Sequence, residues 1–193
     1  MFKLFGAALI LVSLGFAREC PCVKIVDQKG KALAAEGHQL VRQDWTGAPV
    51  QQWVYMQVPQ TNGAYRKLVN RLTGAVLEPM PKCARKAGCA IHLAPLNANQ
   101  RQQWSFYLTF DGGETTIVNR LSCNAIESDA DGLHLALRER DERQHWRSET
   151  VDPGPGPFAD GPGPESYAPT IYTPKPPTRA ERKLNCMQKE AKD

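Results

Sequence analysis

Residues 99–106 read NQRQQWSF, and inside this stretch Gln102-Gln103-Trp104 makes a glutamine, a spacer and a tryptophan. The same trio occurs at Gln51-Gln52-Trp53 and at Gln144-His145-Trp146, at intervals of 51 and 42 residues. The chain has only four tryptophans, and three of them sit in this context. So uneven a distribution of the rarest side chain calls for internal repeats to be sought before local structure.

The repetition extends well beyond the tripeptide. KLVNRLTGAVLE (Lys67 to Glu78) and TIVNRLSCNAIE (Thr116 to Glu127) match in the order apolar, Val, Asn, Arg, Leu, Thr/Ser. IHLAPL (Ile91 to Leu96) and LHLALR (Leu133 to Arg138) follow, and Ala94 and Ala136 each precede the tripeptide glutamine by eight residues. A more divergent copy runs CVKIVDQKGKALAAEG and then HQLVRQDWTGAPVQQW. Three copies of one unit of about 40 residues therefore fill the chain from Cys22 to about Glu149.

Within each unit the apolar residues alternate or come in short runs bounded by glycine and polar turns, which signals short strands and hairpins. Asp111-Gly112-Gly113 is a tight-turn sequence between two such strands. About twelve strands in three similar units are most easily closed into a barrel, which removes exposed sheet edges. The expected fold is all-β with threefold pseudosymmetry.

Three Gln-x-Trp tripeptides, each following a Val-Asn-x-x-Ser/Thr-Gly-x-x-Leu-acidic type of opening, resemble the ricin B-chain type lectins, whose fold is the β-trefoil. The resemblance covers about two-thirds of the chain. It implies that Trp53, Trp104 and Trp146 are architectural core residues. It also implies a sugar pocket in each repeat, made of an acidic residue, a stacking aromatic ring, an asparagine before the tripeptide, and the tripeptide glutamine as a brace for the acid. On this mapping the first repeat has Ala34 at the acidic position and lacks a pocket. The second and third keep Glu78 with Gln102 and Glu127 with Gln144. Ala94 and Ala136 stand at the place expected for the ring, and Arg101 and Arg143 replace the asparagine. His92 and His134, at equivalent positions, offer substitute hydrogen bonds or a partial stacking face. Asn97 is a further polar contact, and Trp45, in RQDWTG, is expected on a loop as an exposed stacking platform.

The rest of the chain divides by composition. MFKLFGAALILVSLGFA, residues 1–17, has one lysine, an apolar run and small residues before Ala17, and reads as a secretory signal peptide cleaved near Ala17. The trefoil is expected over 18–150. Residues 151–177 hold nine prolines and four glycines and read as an extended linker. Residues 178–193 place Ala180, Leu184, Met187 and Ala191 at helical spacing, so a short amphipathic helix is expected there. Six cysteines in an exported chain suggest up to three disulfides. Cys83 and Cys89 form the clearest pair, while Cys20 and Cys22 more readily reach Cys123 and Cys186 than each other.

Removing Lys3 with the signal leaves 23 basic and 20 acidic residues, too mild a balance to point to nucleic acid. No Gly-x-Ser-x-Gly elbow, His-Glu-x-x-His, P-loop or zinc-type cysteine pairing is present, so no enzyme activity, metal or cofactor is expected. The leading expectation is a secreted lectin-like module that binds a glycan or glycoprotein, with no membrane span in the mature chain. Two others stand beside it. One is a trefoil interaction subunit without sugar binding, tied to a protein partner by linker and terminal helix. The other is a protease inhibitor presenting Arg85 and Lys86 from the CARKAGC loop.

Overall fold

The computed structural model describes residues 22–109, 113–130 and 132–151. The signal peptide, the terminal helix, Cys20, Cys186 and the Asp111-Gly112 turn lie outside these residues, as does the proline-rich segment beyond Val151. Twelve strands run in order: β1 (Cys22–Asp27), β2 (Ala32–Glu36), β3 (Gln39–Gln43), β4 (Trp53–Gln57), β5 (Arg66–Asn70), β6 (Val76–Pro79), β7 (Ile91–Ala94), β8 (Trp104–Leu108), β9 (Thr115–Asn119), β10 (Ala125–Asp129), β11 (Gly132–Ala136) and β12 (His145–Val151). Val151, assigned to the linker by composition, ends β12 and pairs with Cys22.

Six of these strands close a ring. β1 pairs with β4, β4 with β5, β5 with β8, β8 with β9, β9 with β12, and β12 returns to β1, all antiparallel. Each ladder bond made this way leaves no open edge within the ring. The other six form the hairpins β2–β3, β6–β7 and β10–β11. These meet at one end of the barrel, where Gln39 pairs with His92 and Ala90 bridges to His134.

The repeat explains the closure. Trp53, Trp104 and Trp146 are fully buried in one apolar cluster with Ile25, Leu33, Leu68, Leu77, Ile117 and Ile126. Each indole N–H donates to a main-chain carbonyl in the hairpin that precedes it in the same repeat: to Leu33 at 3.0 Å, Leu77 at 3.2 Å and Ile126 at 3.1 Å. A buried indole needs such a partner, and all three find it at the equivalent place. Successive repeats are latched by asparagine. Asn70 donates to the carbonyl of Val50 and Asn119 to that of Arg101, while each carboxamide oxygen accepts from the turn after its strand. Asp27 organises the corresponding turn of the first repeat, accepting from the amides of Lys29 and Lys31.

Cys83 and Cys89 form a disulfide with Cα atoms 5.4 Å apart. Cys123 is also disulfide-bonded. No helix among the described residues is long and apolar enough to cross a membrane.

Candidate functional site

Each tripeptide glutamine closes a single 3-10 turn that leads into its tryptophan strand: Pro49–Gln51, Gln100–Gln102 and Glu142–Gln144. In the second and third repeats Asn99 and Asp141 cap that turn, accepting from the amides of Arg101 and Arg143. The capped turn aims the glutamine inward, where all three are buried. Gln102 accepts from the amide of Asn97 at 2.9 Å and donates to Pro95 O at 2.8 Å. Gln144 accepts from Glu139 N at 3.0 Å and donates to Leu137 O at 2.7 Å, and Gln51 spans Thr46 N and Asp44 O in the same way. The amide therefore stitches the preceding loop to the turn in every repeat.

Two of the glutamines do something more. Gln102 Nε2 donates to Glu78 Oε2 at 2.7 Å, and Gln144 Nε2 to Glu127 Oε2 at 2.9 Å. Both glutamates are buried, at 2% and 6% exposure. The residue preceding each glutamine supplies a positive charge: Arg101 Nε lies 2.8 Å from Glu78 Oε1, and Arg143 Nη1 3.0 Å from Glu127 Oε1. In the first repeat Ala34 takes the place of the glutamates and Val50 that of the arginines, so neither the acid nor its cation is present there.

Hairpin register decides what faces each carboxylate. His92 sits directly opposite Glu78, and His134 directly opposite Glu127. Ala94 and Ala136 lie two residues further along, across from Val76 and Ala125. The side-chain ring nearest each acid is thus a histidine, and the alanines stand aside from it. His92 Nε2 is buried and has no hydrogen-bond partner among the described residues. His134 Nε2 lies 3.8 Å from Glu127 Oε1 and 3.7 Å from Asp129 Oδ2.

Asp129, which no repeat or motif in the sequence singles out, lies beside this third-repeat cluster. With Glu127 and His134 it brings three donor atoms within 4.8 Å of one another, a donor set suited to a divalent cation. The guanidinium of Arg143 already supplies positive charge at Glu127. That same guanidinium also holds Asp141, at 2.6 Å, and keeps its carboxyl down at about 2.

The remaining expected contacts are partly spent on structure. Asn97 Oδ1 accepts from Asn99 N and its Nδ2 donates to Pro95 O, so its carboxamide shapes the loop. Trp45 does lie on the loop after β3, but half-buried, with the Lys24 ammonium 5.5 Å from its ring centroid. An ammonium at that distance makes a cation–π contact with one face of the ring.

A closed six-strand ring, three capping hairpins and three core tryptophans related by pseudosymmetry decide the architecture. The chain is a β-trefoil. Solved trefoils share its fold at low sequence identity. The designed threefold-symmetric protein ThreeFoil matches at TM-score 0.57 and 22% identity, over 68% of this chain and 98% of that one. The Polyporus squamosus lectin bound to the epitope Neu5Aca2-6Galb1-4GlcNAc matches at 0.57 and 12%, over 69% of this trefoil chain and 50% of the lectin. An exo-β-1,3-galactanase from Clostridium thermocellum matches at 0.60 and 23%, but this trefoil spans only 31% of that enzyme. No family model and no curated protein sequence matches the chain.

Proposed function

We propose that this trefoil is a ricin B-type lectin-like module of an exported protein that binds a carbohydrate or glycoprotein through its second and third repeats. The residues assigned are Glu78, His92 and Gln102 in one pocket and Glu127, His134 and Gln144 in the other. One observation carries the reading. In the first repeat Gln51 makes the same loop bonds with Ala34 in place of the acid, so the fold closes without a carboxylate there. Burying Glu78 and Glu127 has a desolvation cost that architecture does not require.

The chemistry suits a polyol. An ionised carboxylate has about four lone-pair sites, and each carboxylate oxygen can accept a hydroxyl besides its protein donor. The unpartnered His92 Nε2 is a further group that a ligand hydroxyl would satisfy, and the imidazole offers a planar face. Arg101 and Arg143 each occupy one carboxylate oxygen, at the expense of some acceptor capacity.

That last point favours a second reading, in which the ion pairs have replaced sugar recognition and the trefoil is an interaction subunit. A glycan array separates the two. The wild-type chain is expected to bind discrete glycans. Glu78→Gln or Glu127→Gln should weaken binding at its own pocket by about ten- to a hundredfold, the scale of a lost hydrogen bond to a charged group. An array without a wild-type hit would overturn the lectin reading.

A further inference from the structure

The three capping hairpins differ in one respect that the fold does not demand. Two residues separate β2 from β3 and β10 from β11, but residues 80–90, eleven in all, separate β6 from β7. This second-repeat insertion carries Lys82, Arg85 and Lys86 and no acidic residue. The disulfide Cys83–Cys89 closes it. Its base is fastened to the third repeat, since Gly88 N donates to Leu135 O at 2.6 Å and Leu135 N to Cys89 O at 2.8 Å. Gly88 makes the necessary turn at φ +76°.

Between this loop and the turn bearing Arg101 lies a groove of about 460 Å³, lined by Lys82, Arg85, Lys86, Asn99, Arg101 and Leu121 beside the disulfide. None of the lining residues is acidic. Lys82, Arg85 and Lys86 are exposed and have no ion-pair partner among the described residues. Arg101 is fixed from behind, its Nε bonded to buried Glu78, and its terminal nitrogens have no partner among the described residues. A guanidinium so anchored presents its outer edge to an oxyanion in a planar fork.

We infer that this groove binds the anionic group of an acidic glycan, a sulfated or carboxylated saccharide, whose adjoining sugar enters the Glu78 pocket. The inference rests on the glycan reading of that pocket for the neutral sugar, and on the loop cations for the anion. Arg101 belongs to both, touching Glu78 on one side and the groove on the other. The volume matches a short oligosaccharide segment. The loop is a series of turns tied at its base, so the cations face a concavity and do not project as an extended peptide.

Titration calorimetry of the full chain with a heparin-derived sulfated tetrasaccharide and with its desulfated, carboxyl-reduced counterpart tests this. Binding of the sulfated form alone is expected, weakening by about tenfold between 50 and 300 mM salt as screening grows. The triple variant Lys82→Ala, Arg85→Ala, Lys86→Ala should lose about tenfold or more in affinity with an unchanged Tm, since its side chains are exposed. Equal binding of both saccharides, no binding, or an unaffected triple variant would overturn the groove. So would trypsin inhibition that depends on Arg85 and Lys86 without saccharide binding. Sulfated binding that survives Glu78→Gln, with no neutral glycan bound anywhere, would defeat the pocket reading and leave the anion site standing.

Discussion

At the scale of single residues, the arginines at 101 and 143 have become partners of the acids. Their position before the tripeptide is plain in the sequence, but not that they fold back onto carboxylates 23 and 16 residues earlier in the chain. That contact depends on the 3-10 turn, which no propensity signal announced. The tryptophans, by contrast, were legible because a rare large side chain at a fixed period has few roles besides core packing. Trp104→Ala is expected to cost about 3–5 kcal/mol in chemical denaturation, with similar losses at Trp53 and Trp146. Asp141 offers a sharper test. Its hydrogen bonds to the Arg143 side chain and amide bring its carboxyl from the ordinary 3.8 to about 2. A carboxyl depressed in the folded state favours folding above its unfolded value, and that contribution disappears as the pH falls through about 2. NMR titration should find a midpoint near 2 in the wild type, rising toward 3.8 in Arg143→Ala.

At the scale of elements, alternation of apolar residues announced the strands, and the repeated segments announced where they recur. What the pattern did not convey was register across a hairpin. His92 and His134 face the glutamates only because β6–β7 and β10–β11 pair with Glu78 opposite His92 and Glu127 opposite His134. A shift of one residue would have turned them to the other side of the sheet. The connection between β6 and β7 was visible as a cysteine-bounded loop, whereas its excess length over its two counterparts became meaningful only with the strand ends known. Replacing Cys83 and Cys89 together by serine should lower stability by about 2 kcal/mol in urea titration, the loop-closure value for so short a ring. The barrel should be retained, because the loop stands outside the β1–β4–β5–β8–β9–β12 circuit.

For the molecule as a whole, pseudosymmetry makes the first repeat an internal control. Ala34 and Val50 occupy the positions of the glutamate and arginine in the other two units, and Gln51 is already placed as the brace. Ala34→Glu alone buries an acid without its cation and should cost about 3 kcal/mol. Adding Val50→Arg should recover a substantial part of that loss. A double-mutant cycle measured by denaturation would show coupling between the two sites, and additivity of the two losses would contradict the equivalence of the three pockets. Such an experiment asks whether the acid–guanidinium pair is a transferable unit of the trefoil.

The ring closes between β1 and β12, where Cys22 pairs with Val151 and Asp27 with Trp146. The two ends of the described chain therefore leave side by side from one end of an antiparallel ladder. Tension applied at Cys22 and Val151 would peel this ladder open one rung after another, like a zipper, and would not shear all its rungs together. A module suspended by those two points would yield at low force, and pulling it from Asp27 instead would require more.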